Sequence, residues 1–422
     1  AYIPRAVMPN LYMLGDSDYA NQHRFSVNAT PVVADISHVD SGANVWQTIL
    51  VGGLGAGGKS YYALDVTSPT APALLWEFTD ADLGLSYGNP VITQVQDSSG
   101  TLVWAAVFTS GLNNSGNGYL YVLNARTGAV IYKVPTLVSN AAVGSSSTHS
   151  GLNKLNAWIA TPSDNEAVRF YAGDLLGNLW RFDANNLAAP TSGADTRSVR
   201  LAQFVKNSTA EPITVKPELS EVQYGGYRYP VVLVGTGRYL GATDAMDTTT
   251  PASIYAVKDP LTSTGWTNVR SSMVPQTLTT SGNNRTVTKN AVDWSSSTVA
   301  GWYIDLPDAG ERVAVGMSLA YTTLTVASIV PSTDVCSGSG YSWLYDLDIA
   351  TGSYVLEQAS TQLAGYKRSV ATMGINTLQF EGRAKSGQII TNADGSTEVR
   401  DHVKAPTSTG ALRRTSWREL TQ

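Results

Sequence analysis

Ser60-Tyr-Tyr-Ala-Leu-Asp65, Gly118-Tyr-Leu-Tyr-Val-Leu-Asn124, Gly177-Asn-Leu-Trp-Arg-Phe-Asp183, Ser253-Ile-Tyr-Ala-Val-Lys-Asp259 and Ser342-Trp-Leu-Tyr-Asp-Leu-Asp348 are five versions of one phrase. Each is a short apolar–aromatic strand that runs into Asp or Asn and a turn. Recurrence at intervals of roughly 40 to 80 residues signals radial repetition, and short strands at that period mean propeller blades. Around these phrases lie further runs rich in β-branched and aromatic residues and bounded by Gly, Pro, Asn or Asp. Examples are Pro31–Ile36, Val45–Val51, Val103–Phe108, Val168–Ala172 and Val231–Gly235. Several phrases continue into a Thr-Gly turn and another strand, as in Asn124-Ala-Arg-Thr-Gly128 before Val130–Val134 and Asp348-Ile-Ala-Thr-Gly352 before Tyr354–Leu356. The order strand, Asp, turn, strand fits the two outer strands of a four-stranded blade. Only Pro9–Leu14 invites a helical turn.

The predicted fold is therefore all-β: a modified β-propeller of about seven irregular antiparallel blades, a single domain over residues 1–422 with long inter-strand insertions. Two stretches break the repetition, the Ser/Asn/Gly-rich residues 139–156 and the Thr/Ser/Asn-rich residues 263–297. They are expected as loop insertions, where variable binding surface tends to sit. A last strand within Arg413–Leu420 is expected to pair with the first blade and remove an open edge.

Composition narrows the class. Hydrophobic residues make up 43% of the 422, enough for a core, while charged residues are only 14%, so Ser, Thr, Asn and Gly must supply the polar surface. That suits twisted sheets and turns better than helices. Net charge is -5 and no basic tract occurs, which argues against a nucleic-acid partner. No apolar run approaches the ~20 residues that span a bilayer. One cysteine, Cys336, gives no intrachain disulfide, and a buried thiol or a pairing elsewhere are the two readings. The opening Ala1-Tyr-Ile-Pro reads like the interior of a chain, and the segment is expected to be the C-terminal part of a longer protein.

Several motifs are chemically suggestive and fail on context. Gly53-Leu-Gly-Ala-Gly-Gly58 has dinucleotide-loop spacing, yet a strand and not a helix N-terminus follows it, so turn glycines explain it better. The four histidines, His23, His38, His149 and His402, have no metal-ligand partner at useful spacing. Asp80-Ala-Asp82 has the spacing of a Ca²⁺ pair, with a charged turn as the simpler reading. Asn392-Ala-Asp-Gly-Ser-Thr-Glu398 resembles the middle of a calcium loop, but Ile390 occupies the first ligand position, leaving an Asp-Gly hairpin turn.

In order along the chain, seven stretches resemble the C-terminal domain of the PilY/PilC-type type IV pilus tip-associated proteins. They are Ala1–Tyr12, Val51–Thr67, Trp76–Gly84, Tyr171–Asp183, Gly235-Thr-Gly-Arg-Tyr-Leu240, Gly301–Pro307 and Ser416-Trp-Arg-Glu-Leu420. The resemblance implies a non-enzymatic modified β-propeller that is secreted through the periplasm to the outer membrane and pilus tip of a Gram-negative cell. It implies minor pilins as partners, and roles in pilus assembly, control of retraction, twitching motility and adhesion to host-cell or abiotic surfaces. It also implies a separate N-terminal adhesive region.

Family members often hold Ca²⁺ in an Asp-x-Asn/Asp-x-Asp-Gly-x-x-Asp loop before the Tyr-Ala-Gly-Asp strand. Here the corresponding stretch is Ala160-Thr-Pro-Ser-Asp-Asn-Glu-Ala-Val168. Asp164, Asn165 and Glu166 remain as metal candidates, without the alternate spacing and the Gly. Ca²⁺ takes six to eight oxygens, so weak or no binding is expected. The rival functions are a quinoprotein-like periplasmic dehydrogenase, for which no calcium cage is legible, and a general outer-membrane assembly scaffold.

Overall fold

The computed structural model describes residues 2–161, 163–332, 340–355, 358–379 and 386–401. Cys336, His402 and the strand expected within Arg413–Leu420 lie outside them. The fold is an all-β propeller. The first sheet is formed by Val32–Asp40, Ala43–Gly53, Tyr61–Asp65 and Ala73–Phe78, and the second by Val91–Gln96, Leu102–Thr109, Tyr119–Asn124 and Val130–Pro135. The third is formed by Leu155–Ile159, Ala167–Gly173, Asn178–Asp183 and Val199–Gln203. In all three, spatial order follows chain order, the topology that short hairpins between antiparallel neighbours enforce. A fourth sheet has five strands and a fifth has seven, and a three-stranded sheet closes the described chain. Among the described residues, sheets of four or more strands thus number five, against the about seven blades expected.

Contacts divide the chain into two compact units, one built from Ala1–Asp174 and Trp180–Arg200, the other from Leu175–Leu179 and Leu201 onward. Each has its own core. Ile49, Val107, Tyr121, Leu123 and Phe170 lie in the first, and Leu233, Ile254, Trp302, Val326 and Trp343 in the second.

Four of the five phrases form the third strand of their sheet in chain order, and the fifth, Tyr341–Asp348, lies third from the edge strand Ser318–Ala320 of the seven-stranded sheet. Their near-continuous apolar character follows from burial on both faces: Ser253–Lys258 is buried throughout, and Asn178–Asp183 at all but its last residue. In four of the five the terminal Asp or Asn makes an Asx turn, its side chain standing in for a backbone acceptor, whereas Asp183 accepts from Arg181 Nη2 (3.0 Å). Asn124 Oδ1 accepts from the N–H groups of Arg126 and Thr127, and Asp348 Oδ1 from those of Ala350 and Thr351. The glycines four residues on, Gly128 (φ +72°) and Gly352 (φ +67°), sit in the left-handed region. Each faces a tryptophan of the preceding blade. The Trp76 indole N–H donates to the carbonyl of Ala125 (2.9 Å), and the Trp302 indole N–H to that of Ile349 (2.8 Å). The Asp-x-x-x-Gly phrase is thus the socket for a tryptophan from the previous sheet.

Residues 263–297, expected as a loop insertion, do not stay a loop. Met273–Gln276 pairs parallel to Gly301–Asp305 in the fourth sheet, and Leu278–Ser281 and Asn284–Val287 form a hairpin that extends the fifth through Leu363–Arg368. Thr-rich strands lack the apolar alternation of a half-buried strand, which hides them in the sequence. Residues 139–156 contain only the two-residue strand Ala141–Ala142 before Leu155–Ile159 begins. Pro9–Leu14 lies within a 3₁₀ helix, Met8–Gly15. No helix among the described residues is long and apolar enough to cross a membrane.

Candidate functional site

Three times along the chain, an acidic residue upstream of one of these phrase strands reaches that strand's buried tyrosine. The Tyr121 hydroxyl donates to Asp80 Oδ1 (2.9 Å), Tyr255 to Glu211 Oε1 (2.9 Å) and Tyr345 to Glu311 Oε1 (2.7 Å). A cation and a second carboxylate complete each cluster. Lys133 Nζ donates to Asp80 Oδ1 (2.8 Å) and Asp82 Oδ2 (2.7 Å). Arg270 lies 3.3 Å from Glu211 and 2.7 Å from Asp305. Arg285 lies 2.8 Å from Glu311 and 2.5 Å from Asp308. The cations also stack on rings, Arg285 3.8 Å from the Trp343 centroid and Arg270 4.0 Å from Tyr303.

Electrostatics follow burial. Burial pushes the phenols of Tyr121, Tyr255 and Tyr345 up, so all three act as neutral donors. Burial also pushes Glu211 up, against the donors that surround it. These clusters brace three of the phrase strands against the segments that carry the acids. Their carboxylates are committed to cations, which leaves them poorly suited to acid–base chemistry. Among the described residues, no group of three or more His, Cys, Asp or Glu converges to hold a metal ion.

The Asp80–Lys133–Asp82 cluster is half-buried and yields a pH test. Burial is the largest single influence and raises both carboxyls. The hydrogen bonds and charge of Lys133, together with bonds from Tyr121 and the Asp82 N–H to Asp80 and from Ser115 to Asp82, outweigh it in sum, and both are lowered overall. Depressed carboxyls stabilise fully above their unfolded values and lose that contribution as pH falls through the folded ones. The gap in urea midpoint between the wild type and Lys133→Met is therefore expected to narrow as pH falls from about 7 to about 3. A gap independent of pH would contradict the ion-pair account.

Asp164, Asn165 and Glu166 lie in the turn between Leu155–Ile159 and Ala167–Gly173. Asp164 is exposed; its Oδ2 accepts from the Thr161 hydroxyl (2.7 Å) and its Oδ1 from that of Ser163 (2.9 Å). Asn165 takes a left-handed φ of 49°, and its carbonyl accepts from the Gln94 N–H (2.9 Å) and the Thr93 hydroxyl (2.6 Å). Its amide group donates to the Ile92 carbonyl (3.3 Å). Glu166 bridges in parallel to Gln94. The turn is thus bonded to the first strand of the second sheet, which its sequence did not reveal. Asp80 and Asp82 converge on Lys133, and Asp394 caps its own turn by accepting from the Ser396 N–H (2.9 Å).

The clusters were missed because their members are far apart in sequence. A usable signal existed: each acid precedes its tyrosine by a similar interval of 41, 44 or 34 residues. The cations have no such regularity.

Sheets that repeat one phrase strand, three of them braced through its tyrosine by an upstream acid, define a β-propeller domain. The chain belongs to the PilY1 β-propeller domain family, whose model matches residues 4–291. It is 31% identical over 407 residues to the type IV pilus biogenesis factor PilY1 of Pseudomonas aeruginosa, covering 83% of this chain and 34% of that protein. To a type IV pilus biogenesis factor PilY1 homolog of Xylella fastidiosa it is 30% identical over 412 residues, covering 91% of this chain and 27% of that protein. The crystal structure of the Pseudomonas aeruginosa PilY1 C-terminal domain superimposes with a TM-score of 0.71 at 25% identity, covering 95% of this chain and 87% of that one. The chain spans about a third of the length of the curated relatives it matches.

Proposed function

We propose that this domain serves type IV pilus biogenesis as a non-enzymatic interaction module at the cell surface and pilus tip, contacting minor pilins and supporting assembly, control of retraction, twitching motility and surface attachment. The observation that carries the reading is the family match over residues 4–291. The chemistry supports it: the carboxylates of the three acidic clusters are paired with Lys133, Arg270 and Arg285. The surface offers rigid aromatic anchors instead, with Tyr12, Trp46 and Tyr227 each more than half exposed. Such rings contribute contact area at low entropic cost. Capture by the tagged full-length protein from a piliated strain tests this. Minor pilins should co-purify, and their absence under conditions that retain other pilus components would contradict the reading.

The turn bearing Asp164, Asn165 and Glu166 acts, in this reading, as a hydrogen-bonded tether and not as an ion switch. Ca²⁺ requires six to eight oxygens, while Asp164 is engaged by hydroxyls and the Asn165 carbonyl by the second sheet. Calorimetric titration with Ca²⁺ should give no micromolar isotherm. A micromolar isotherm that disappears in Asp164→Ala would sink the tether assignment.

A further inference from the structure

Leu278–Ser281 forms the outermost strand of the seven-stranded sheet and pairs with Asn284–Val287 on its inner side. In an antiparallel ladder, successive residues alternate between pointing both backbone groups at the neighbouring strand and pointing both away. The Thr288 N–H donates to the Thr277 carbonyl (3.1 Å), which fixes the phase of that alternation. Thr279 and Ser281 therefore bond inward, opposite Thr286 and Asn284, while Leu278 and Thr280 turn their N–H and carbonyl groups outward. Among the described residues, no other segment bonds to those outward groups.

The strand is held in place before anything pairs with it. The Thr277 N–H donates to Thr288 Oγ1 (2.8 Å), and Arg285 Nε to Thr280 Oγ1 (3.1 Å). At the hairpin tip Gly282 has a φ of +59°, and nothing lies within 4 Å of a Cβ built there, so the tip stands clear. Several other edges carry the features that deter an added strand. Charged side chains mark Val32–Asp40, Glu218–Tyr224 and Thr397–Asp401, and Pro275 marks Met273–Gln276. Leu278–Ser281 has neither charge nor proline, and its register with Asn284–Val287 runs without a bulge.

We propose that this edge receives an extended segment of a partner protein, paired antiparallel as one more strand of the sheet. Outward N–H and carbonyl groups on alternate residues match a chain in β conformation, and main-chain bonds then supply the affinity. The two faces of the sheet set the side-chain pattern. Leu278 and Thr280 share a face with Val287 and Arg285, both buried, whereas Thr279 and Ser281 are exposed on the opposite face. A segment that alternates apolar and polar residues extends the buried face with its apolar ones. The site does not depend on the pilus assignment, and its test uses no pilus component.

The probe is an N-acetylated pentapeptide amide, threonine–valine–threonine–valine–threonine, titrated into the whole domain by calorimetry. It should bind saturably. Methylating both valine nitrogens, which face Leu278 and Thr280 in the antiparallel register, should weaken binding at least about tenfold. Methylating the central threonine nitrogen, which faces away, should leave affinity within about twofold. Leu278→Pro deletes one outward N–H at the first position of a strand, where proline is tolerated. It should weaken binding about fivefold while thermal unfolding stays within a few degrees of wild type. Absence of saturation, or equal effects of the two methylations, would overturn the proposal. A concentration-dependent dimer of the free domain that Leu278→Pro abolishes would assign the edge to a second copy of this chain and equally overturn it.

Discussion

Glu311→Ala is expected to reduce the stability of the second unit by about 3–5 kcal/mol, because breaking a buried pair strands the remaining charge. Glu311 is 2% exposed and Arg285 is fully buried. Removing the carboxylate withdraws both Arg285 Nη1 contacts and the acceptors of Tyr345 and Ser328 at once. Asp308, 2.5 Å from Arg285, cannot compensate alone, because it also accepts from Tyr341 and Trp343. Against a typical domain stability of about 5–15 kcal/mol, this is a large fraction. Tyr345→Phe should be milder, about 1.5–3 kcal/mol, since it removes one hydrogen bond to a charged group. The paired replacement Arg285→Met with Glu311→Leu should cost less than the sum of the single changes, because neither buried charge is then left alone. Urea unfolding followed by tryptophan fluorescence reads all of these, as Trp343 lies beneath Arg285. A loss below about 1 kcal/mol for Glu311→Ala would show that the cluster is not a brace.

Gly352→Ala should rank with it, at about 2–5 kcal/mol. A left-handed φ costs a residue with a Cβ about 1–2 kcal/mol, and forcing atoms into a filled core about 1–3 kcal/mol. The new methyl would lie 2.4 Å from Trp302 Cδ2, and Trp302 is fully buried and tied to Ile349. Gly395→Ala separates the two contributions: φ is +82° there, but nothing lies within 4 Å of the added Cβ. It should show only the backbone cost, about 1–2 kcal/mol. Equal losses at the two positions, by thermal or urea unfolding, would mean that the tryptophan socket contributes nothing.

What the sequence made legible is what a local period can encode. The five phrase strands announce themselves because each is largely apolar and ends in Asp or Asn, which in four of them makes an Asx turn, and both properties lie within seven consecutive residues. The partners of those strands are less visible. Trp76 and Trp302 fill sockets 49 and 47 residues downstream, and nothing local to the tryptophans says so. The strands within 263–297 are invisible for a different reason. Leu278–Ser281 and Asn284–Val287 are polar, and they are recruited to the fifth sheet by backbone pairing with Leu363–Arg368 and by Arg285 reaching Glu311. Asp80 and Asp82 were legible as a pair of carboxylates, but their common partner was not, because Lys133 sits on the opposite strand of the next sheet. The turn at Asp164 could be compared with a calcium loop from its residues alone. Its tie to Thr93 and Gln94 is a tertiary fact.

The proposed role is that of a domain acting by contact in type IV pilus biogenesis. Surface piliation in a strain lacking the gene tests that claim most directly, measured as pili sheared from the cells and as twitching zones, with the wild-type gene restored in parallel. The account predicts that pili and twitching fall sharply in the deletion and return with the restored gene. Unchanged pili and unchanged motility in the deletion would contradict it.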